Sequence, residues 1–426
     1  QPLRYSTRET MTADVTAAGD AGIESLLCRG MRDLLPEEMA RFRRIEAAFR
    51  GACDAWGYAE VRTPTLEHLY LFTSAGTLSP QLLGRVYSFL DWDGWTGERV
   101  VLRPDATIPV ARLYRERLGG SPSKLAYVAN IFRFSAADEP REVWQCGAEL
   151  IGDTWPLGDI ELLSMATQVA SALDLHKVRL SLSHTGVVRA LLEHAGFTPE
   201  DQLNLYDRLL DGDAYVVRDL EARLPDLGPA LRLLTEVNGG GMGYLANLRA
   251  AFLPAVPGVE RPLAALALVA GAAESLGVRI EVSMTAVRDF EYYTGPVFRL
   301  ETRDGVALAG GGRYDRLVVD AAGRQVPACG FALYVDHLLG LVSPAPSRSH
   351  ETILVVPADR SAACLTAAVG AAHDLQASGY TATLVSEGPD PRWRLTVDLS
   401  AGSALYRLAD RSGGSDLDAS AVDQVI

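Results

Sequence analysis

The chain has 426 residues, of which 48% are hydrophobic and 22% charged, a composition typical of a globular protein with two or three domains. Its formal net charge of −14 repels phosphate, so broad binding to nucleic acid or to an anionic membrane is not expected. The five cysteines form no CxxC and the seven histidines no HExxH, so neither a metal site nor a redox pair is predicted, and a cytoplasmic location fits the sparse cysteines. No stretch approaches the roughly 20 apolar residues of a membrane helix.

The first predicted elements are a flexible leader and a long helix. Residues 1–29 have scattered charges among small residues and no apolar run of signal-peptide length, so we expect them to be flexible. From Pro36 to Trp56, apolar residues recur at three- and four-residue steps, which predicts a helix with one apolar face. Pro36 suits the first helical position, and Gly57 suits the end.

Strand-like segments dominate the next part of the chain. Residues 58–64 read as a strand, and residues 85–105 read as two strands around a glycine-containing turn. Residues 106–118 and 159–173 have helical patterns. Between these two helices, the runs KLAYVANIFRF (124–134) and EVWQCGAELIG (142–152) predict two further strands.

The pattern becomes mostly helical at about residues 185–276, which we interpret as a helical insertion. Strands return at 279–284, 296–311 and 328–333, and residues 343–350 have the composition of a linker. Residues 351–426 then predict a reduced α/β C-terminal domain, in which a single βαβ-like unit is followed by a tail with little periodicity. The main domain, 30–342, is therefore predicted to be α+β, with an antiparallel sheet flanked by helices.

Four polar clusters lie on or beside the predicted strands. They are LRPDAT (102–107), the segment from Arg133 to Glu149, RDFEYYTG (288–295) and AGGGRYDRL (309–317). Gln145 and Glu149 are four residues apart in a strand, so both project from the same face. Two interpretations account for these residues equally well. One is a solvated face with incidental ion pairs, and the other is a polar pocket for a small zwitterion. In such a pocket a carboxylate would accept from an ammonium, and an arginine would bind a carboxylate.

In this order, the four clusters resemble those of histidyl-tRNA synthetases. The match includes GMRDLLP (30–36), the arginine of IFRF, REVWQCGAE (141–149), RDFEYYTG and GGRYD. The resemblance covers roughly residues 30–340 and implies a class II synthetase fold, usually dimeric. It also implies that Asp105 and Glu149 receive the histidine ammonium, that Tyr292 and Tyr293 line the imidazole, and that Arg133 and Arg288 correspond to reactive-site arginines. The full set of histidine-binding residues that it implies is Asp105, Thr107, Arg133, Gln145, Glu149, Arg288, Tyr292, Tyr293 and Tyr314.

The chain departs from the synthetase pattern at the end of this region, in GFALYVDHLLGL (330–341). By the resemblance, Tyr334 replaces a glycine, Asp336 a glutamate and His337 an arginine that binds the γ-phosphate of ATP. A permanently charged guanidinium is thereby exchanged for an imidazole that is mostly neutral at neutral pH. We expect His337 to face the sheet and pack on the core, as a remnant of a site that no longer holds ATP.

Two further departures concern the nucleotide and the RNA. In SAADEPREV (135–143), Asp138 and Glu139 stand close to where the resemblance implies a triphosphate, which they would repel. LRPD, ending at Asp105, replaces a synthetase LRPE. The C-terminal part ends in the acidic tail SGGSDLDASAVDQVI (412–426), and an RNA-binding surface like that of a synthetase anticodon domain is not evident there.

Together these departures resemble the regulatory subunit of ATP phosphoribosyltransferase. The segment LRPDATIPVAR (102–112) is also closer to the sequences of that family than to those of the synthetases. This resemblance implies a chain with no catalytic residues and no cofactor. The implied partners are a short-form ATP phosphoribosyltransferase catalytic subunit, a second copy of the chain in a homodimer within a hetero-oligomer, and L-histidine. Two alternatives remain open: a divergent histidyl-tRNA synthetase that forms histidyl-adenylate, and a stand-alone histidine sensor.

Overall fold

The computed structural model describes residues 26–74, 83–92, 97–120, 122–135, 139–152, 156–198, 201–202, 205, 208, 213–228, 231, 239–283, 293–344, 352–385, 392–399, 404–410 and 417–419. Its α-helices are α1 Pro36–Trp56, α2 Leu69–Ser74, α3 Thr107–Leu113, α4 Leu157–Ala172, α5 Thr185–His194, α6 Ala214–Arg223, α7 Gly241–Phe252, α8 Glu260–Ser275, α9 Val335–Leu339 and α10 Ala362–Ala377. Most of the predicted leader, residues 1–25, lies outside the described residues.

The strands form three sheets. They are β1 Ala59–Glu60, β2 Leu66–His68, β3 Ser88–Trp92, β4 Gly97–Leu102, β5 Ser123–Phe132, β6 Glu142–Ile151, β7 Val178–His184, β8 Gly239–Gly240, β9 Arg279–Val282, β10 Pro296–Thr302, β11 Ala307–Arg313, β12 Ala328–Tyr334, β13 Thr352–Pro357, β14 Thr381–Thr383, β15 Trp393–Asp398, β16 Leu405–Asp410 and β17 Leu417–Ala419. A three-stranded sheet has the order β2-β4-β3, and a nine-stranded sheet has the order β1-β5-β6-β12-β11-β10-β7-β9-β8.

The nine-stranded sheet confirms the predicted α+β architecture. Its central strands, from β5 across to β7, all pair antiparallel, whereas β1 with β5 and β7 with β9 are parallel. One face of the sheet is covered by helices, and the shared core includes Phe49 of α1, Leu163 of α4, Leu266 of α8 and Phe331 of β12. The described helices between residues 185 and 276 contribute to this same core.

Helix α1 follows its sequence pattern closely. Pro36 is its first residue, and the Glu38 carboxylate accepts a hydrogen bond from the Leu35 backbone N–H (3.3 Å). Gly57 ends the helix with a φ of 76°, in the left-handed region that favours glycine. The buried face includes Phe42, Ile45 and Phe49.

The predicted strand at 58–64 is wrong beyond its first residues, because β1 ends at Glu60. The guanidinium of Arg103 is buried and donates hydrogen bonds to backbone carbonyl groups that a longer strand would use for strand pairing. Its Nη1 donates to the carbonyl oxygens of Thr63 (2.9 Å) and Pro64 (3.1 Å). The predicted helix at 106–118 is confirmed, since α3 continues as a single π-helical turn at Tyr114–Leu118.

Residues 344–426 form a compact unit of their own. The predicted βαβ unit is confirmed, since β13 and β14 are parallel and α10 connects them. Beyond it, where the sequence has little periodicity, β15 pairs parallel with β13, and β16 and β17 extend the sheet antiparallel. These strands are short and bury few side chains, such as Leu395 and Val397, which is why their alternation is weak in the sequence.

Within the part of the chain that the structure describes, no helix is both long enough and apolar enough to span a bilayer. The described side chains also contain no group of three histidine, cysteine, aspartate or glutamate residues placed to bind a metal ion.

Replacing Phe49 with alanine should destabilise residues 26–343 strongly. Its ring is 1% exposed and packs edge-on against Phe331, with 6.5 Å between ring centroids, beneath the sheet. We expect the free energy of unfolding to fall by about 3–5 kcal/mol in urea denaturation followed by circular dichroism. Leu268→Ala on the surface of α8 is the control and should cost less than about 1 kcal/mol; equal losses in the two variants would contradict the assignment of Phe49 to the core.

Candidate functional site

The face of the nine-stranded sheet opposite the main helical layer has a floor of glycines. On this floor, large side chains lie directly on the backbone of a neighbouring strand. A Cβ atom added to any of these glycines would collide with or crowd such a side chain. The pairs are Gly147 with Tyr127, Gly310 with Tyr334, Gly312 with Tyr293, and Gly330 with Glu149. We call Gly147, Gly310, Gly312 and Gly330 the glycine floor.

Glu149 lies at the centre of this face and is 1% exposed. Its carboxylate accepts hydrogen bonds from the Thr107 hydroxyl (2.7 Å) and from the Tyr314 hydroxyl. Burial raises the pKa of Glu149 to about 8, and these hydroxyl donors oppose the rise only in part. The site therefore contains a desolvated carboxylate whose charge a cationic ligand group would stabilise.

Asp105 is a second buried carboxylate on this face. Its Oδ1 accepts a hydrogen bond from the Ile108 backbone N–H (2.9 Å) at the start of α3. Burial raises the pKa of Asp105, whereas this backbone donor and the nearby Arg133 guanidinium lower it. Arg133 is held beside it, since its Nε donates to the carbonyl oxygen of Pro104 (3.0 Å).

Gln145 lies farther along the same face of β6. It is buried, and alternation along the strand places it on the face of Gly147 and Glu149, as predicted. Its partner in register on β12 is Tyr334.

Seven of the nine predicted site residues are described, and the structure places them around the glycine floor. These are Asp105, Thr107, Arg133, Gln145, Glu149, Tyr293 and Tyr314. Arg288 and Tyr292 lie outside the described residues. The predicted histidine-binding role of the set stays a prediction, because geometry alone does not identify the ligand.

Sequence reasoning missed Tyr127. Its ring lies over Gly147, and its hydroxyl lies near the side chains of Thr107 and Glu149. Burial raises the pKa of Tyr127 well above its ordinary value. The only signal was that Tyr127 and Gly147 are partners in register, which is visible once β5 and β6 have been paired.

The expectation that His337 packs on the core is wrong. The side chain is exposed, and its Nδ1 lies 2.8 Å from the carbonyl oxygen of Ala307 on β11. Its ring meets that of Tyr334 edge-on, with 5.7 Å between centroids, and Tyr334 in turn covers Gly310. Helix α9 follows β12 directly and turns His337 toward the first residue of β11 rather than into the interior.

Asp336, the neighbour of His337, has a structural role. Its Oδ1 forms an ion pair with Arg32 Nη2 (2.8 Å), and its Oδ2 accepts a hydrogen bond from the Trp144 backbone N–H (2.7 Å). It thereby connects the segment before α1, the strand β6 and the helix α9.

Comparisons with known proteins agree with this architecture. A family model described as histidyl-tRNA synthetase matches residues 30–338. A protein of Dehalococcoides mccartyi named ATP phosphoribosyltransferase regulatory subunit is 46% identical over 317 residues, which cover 74% of this chain and 77% of that protein. A protein of Methanosarcina acetivorans named histidine–tRNA ligase is 32% identical and covers 77% of this chain and 78% of its own length.

A solved structure from Bacillus halodurans has the same fold. It is named ATP phosphoribosyltransferase regulatory subunit/histidyl-tRNA synthetase, is 26% identical, covers 84% of this chain and 93% of its own, and has a TM-score of 0.69. The fold and the site thus define a class II, histidyl-tRNA synthetase-like protein. Within that class, the chain belongs to the family of ATP phosphoribosyltransferase regulatory subunits.

Replacing Glu149 with glutamine should change how stability depends on pH. The pKa of Glu149 is about 4.5 in the unfolded chain and about 8 in the folded chain. Between these two pH values, the folded chain holds on Glu149 a proton that the unfolded chain has released. Wild-type stability should therefore fall as pH rises across this window, by up to about 1.4 kcal/mol per pH unit, whereas Glu149→Gln should lose this component.

Urea denaturation at several pH values within this window measures the difference between the two proteins. Glu193→Gln, which removes an exposed carboxylate on α5, is the matched control and should follow the wild type. Parallel pH profiles for wild type and Glu149→Gln would show that Glu149 is ionised in the folded, ligand-free chain.

Proposed function

We propose that this chain is a non-catalytic regulatory subunit of ATP phosphoribosyltransferase, required for the first step of histidine biosynthesis and for its feedback inhibition by histidine. The observation that carries the proposal is the contrast between two parts of one sheet face. The side chains of Thr107 and Tyr314 are hydrogen-bonded to Glu149, whereas the part of the face at Gly310 is covered by Tyr334. The name of a relative that is 46% identical, ATP phosphoribosyltransferase regulatory subunit, supports the same role.

The histidine ammonium would bind at Glu149 and Asp105. Each is buried, and burial raises the pKa of both carboxyl groups, so a cation placed between them would relieve an electrostatic cost. Tyr293 and Tyr314 offer flat surfaces beside this point, and Gln145 supplies an amide. Because Glu149 would release its proton on binding, histidine binding would be coupled to proton release at neutral pH.

The part of the face that Tyr334 covers supports the proposal that this chain does not use ATP. The Tyr334 ring lies on Gly310, where the family resemblance implies close approach of the nucleotide to bare backbone. His337 is directed to the Ala307 carbonyl and supplies no guanidinium. A lost charge-assisted phosphate contact weakens binding by about 1.5–3 kcal/mol.

The catalytic chemistry would then belong to the partner, a short-form ATP phosphoribosyltransferase catalytic subunit. Histidine bound in this chain would bias the state of the complex, and a coupling of about 1–3 kcal/mol is sufficient for feedback control. The net charge of −14 fits a protein that binds no tRNA. The five cysteines form no disulfide bond, which supports a cytoplasmic location.

A homodimer within the complex is supported by the sheet β2-β4-β3. Every residue of β3 is exposed, including Leu90 at 56% and Trp92 at 65%, and Tyr70 on the adjacent α2 is 76% exposed. Clustered apolar side chains of this kind indicate a protein–protein interface. A second copy of the same surface would cover them.

The alternatives make different use of the same pocket. A divergent histidyl-tRNA synthetase is favoured by the retention of Arg133 beside Asp105 and by the similarity to the Methanosarcina ligase. A stand-alone histidine sensor would need only the pocket around Glu149 and no catalytic partner.

Replacing Glu149 with alanine should abolish histidine binding measured by calorimetry, because the charged acceptor for the ammonium is lost. In a complex reconstituted with the short catalytic subunit, the same change should remove inhibition by histidine. Glu193→Ala is the matched control and should behave as wild type. Unchanged histidine affinity in Glu149→Ala would contradict the pocket, and a wild-type chain that fails to stimulate the catalytic subunit would contradict the regulatory role.

The wild-type chain should show no histidine-dependent exchange between ATP and pyrophosphate, with an active histidyl-tRNA synthetase assayed in parallel. The variant Tyr334→Gly/His337→Arg uncovers Gly310 and restores a guanidinium, so it should bind ATP more tightly than wild type in equilibrium dialysis. Clear exchange by the wild-type chain would establish the synthetase alternative instead.

A further inference from the structure

A buried ion pair lies beneath the glycine floor, on the helical side of the sheet. Arg313, the last residue of β11, is 3% exposed, and Asp159, in the first turn of α4, is 5% exposed. The Nε of Arg313 donates to both carboxylate oxygens of Asp159, at 3.2 Å and 2.9 Å, and its Nη2 donates to Oδ2. An ion pair with this degree of burial is costly to form, so its geometry must be well satisfied.

Arg313 also contacts the segment that carries Tyr293. The Arg313 carbonyl oxygen accepts from the Thr294 backbone N–H (2.7 Å). The Arg313 side chain passes so close to Gly295 that a Cβ there would lie 3.0 Å from Arg313 Cβ. Both the backbone and the side chain of Arg313 therefore fix the position of residues 293–295.

A third set of contacts holds the chain just after Tyr314. The Nη1 of Arg313 donates to Asp315 Oδ1 (3.0 Å), which also accepts from the Ala328 backbone N–H (3.2 Å) at the start of β12. The Asp315 backbone N–H donates to the Thr294 hydroxyl (3.0 Å). Tyr314 lies between Arg313 and Asp315, so both of its chain neighbours are held.

Alternation along β11 places Arg313 on the opposite face from Gly312 and Tyr314. A ligand on the glycine floor therefore does not reach the Arg313 guanidinium. The residue can influence such a ligand only through the side chains that it positions.

We propose that Arg313 is a positioning residue of the candidate site: its buried pair with Asp159 holds the rings of Tyr293 and Tyr314 above the glycine floor in the geometry that recognises the ligand. The assignment of histidine as that ligand rests on the proposed function. The planar guanidinium reaches Asp159 and Asp315 at once, whereas a lysine ammonium at the same position presents one compact charge and cannot keep both directions.

The first test compares Arg313→Lys with wild type by calorimetric titration of L-histidine, with thermal unfolding measured in parallel. Arg316→Lys, at an exposed arginine in the same turn, is the matched control and should bind as wild type. We expect Arg313→Lys to bind histidine at least about tenfold more weakly, with a melting temperature near that of wild type. Affinity within about twofold of wild type would overturn the proposal.

A selectivity measurement separates positioning from a general loss of stability. L-histidinol keeps the ammonium and the imidazole, and β-(2-thienyl)alanine keeps the ammonium but replaces the imidazole. If Arg313 positions the tyrosine rings, Arg313→Lys should lose discrimination between imidazole and thiophene more than it loses affinity for the ammonium. A proportional weakening of all three ligands would indicate a merely structural role and would overturn the proposal.

If Arg313→Lys does not fold, the double variant Arg313→Met/Asp159→Leu takes its place, because it removes both charges and leaves neither partner buried alone. Weaker histidine binding by a folded double variant supports the proposal, and unchanged binding overturns it.

A ligand-free measurement keeps this inference separate from the proposed function. If the wild-type chain does not bind histidine, the proposed function fails, whereas the role of Arg313 is then judged from ¹⁹F NMR of fluorotyrosine-labelled protein. Resonances of Tyr293 and Tyr314, assigned with Tyr→Phe variants, should shift or broaden in Arg313→Lys and not in Arg316→Lys. Unchanged resonances in Arg313→Lys would overturn the positioning role.

Discussion

The site depends on the close approach of large side chains to bare backbone at the glycine floor. Glu149 lies on Gly330, and Tyr127 lies on Gly147, at distances that leave no room for a Cβ atom. This packing removes water from the Glu149 carboxylate, which is why its pKa rises to about 8. A single added methyl group at Gly330 would displace the carboxylate around which the remaining site residues are arranged.

The buried carboxylates on the two faces of the nine-stranded sheet have different partners. On the open face, which carries the glycine floor, Glu149 accepts from hydroxyl groups, and Asp105 accepts from a backbone N–H and lies near Arg133. On the helical face, the Arg313 guanidinium pairs directly with Asp159. A cationic ligand group would balance the charge of the Glu149 carboxylate on the open face. On the helical face, the charges of Arg313 and Asp159 neutralise each other, and their ion pair fixes the backbone of β11. This pair therefore supports the opposite face rigidly, where Glu149 can change its charge state when a ligand binds.

The region around α9 combines contacts that hold the fold with side chains that lie on the glycine floor. Asp336 connects Arg32 to the Trp144 backbone, and these contacts hold the fold whether or not ATP binds. The rings of Tyr334 and His337 contact each other, and both residues contact groups of β11.

Local patterns in the sequence determined helix α1, the antiparallel strands and the shared face of Gln145 and Glu149, because periodicities of 3.6 and 2.0 residues are set within one element. Only the tertiary structure decided that Tyr127 belongs to the site, that Arg103 ends the first strand early and that His337 is exposed. Each of these depends on a contact between segments far apart in the chain, such as Tyr127 opposite Gly147 or Arg103 with the carbonyl of Thr63. The pairing of distant strands sets these contacts, and no single segment contains that information.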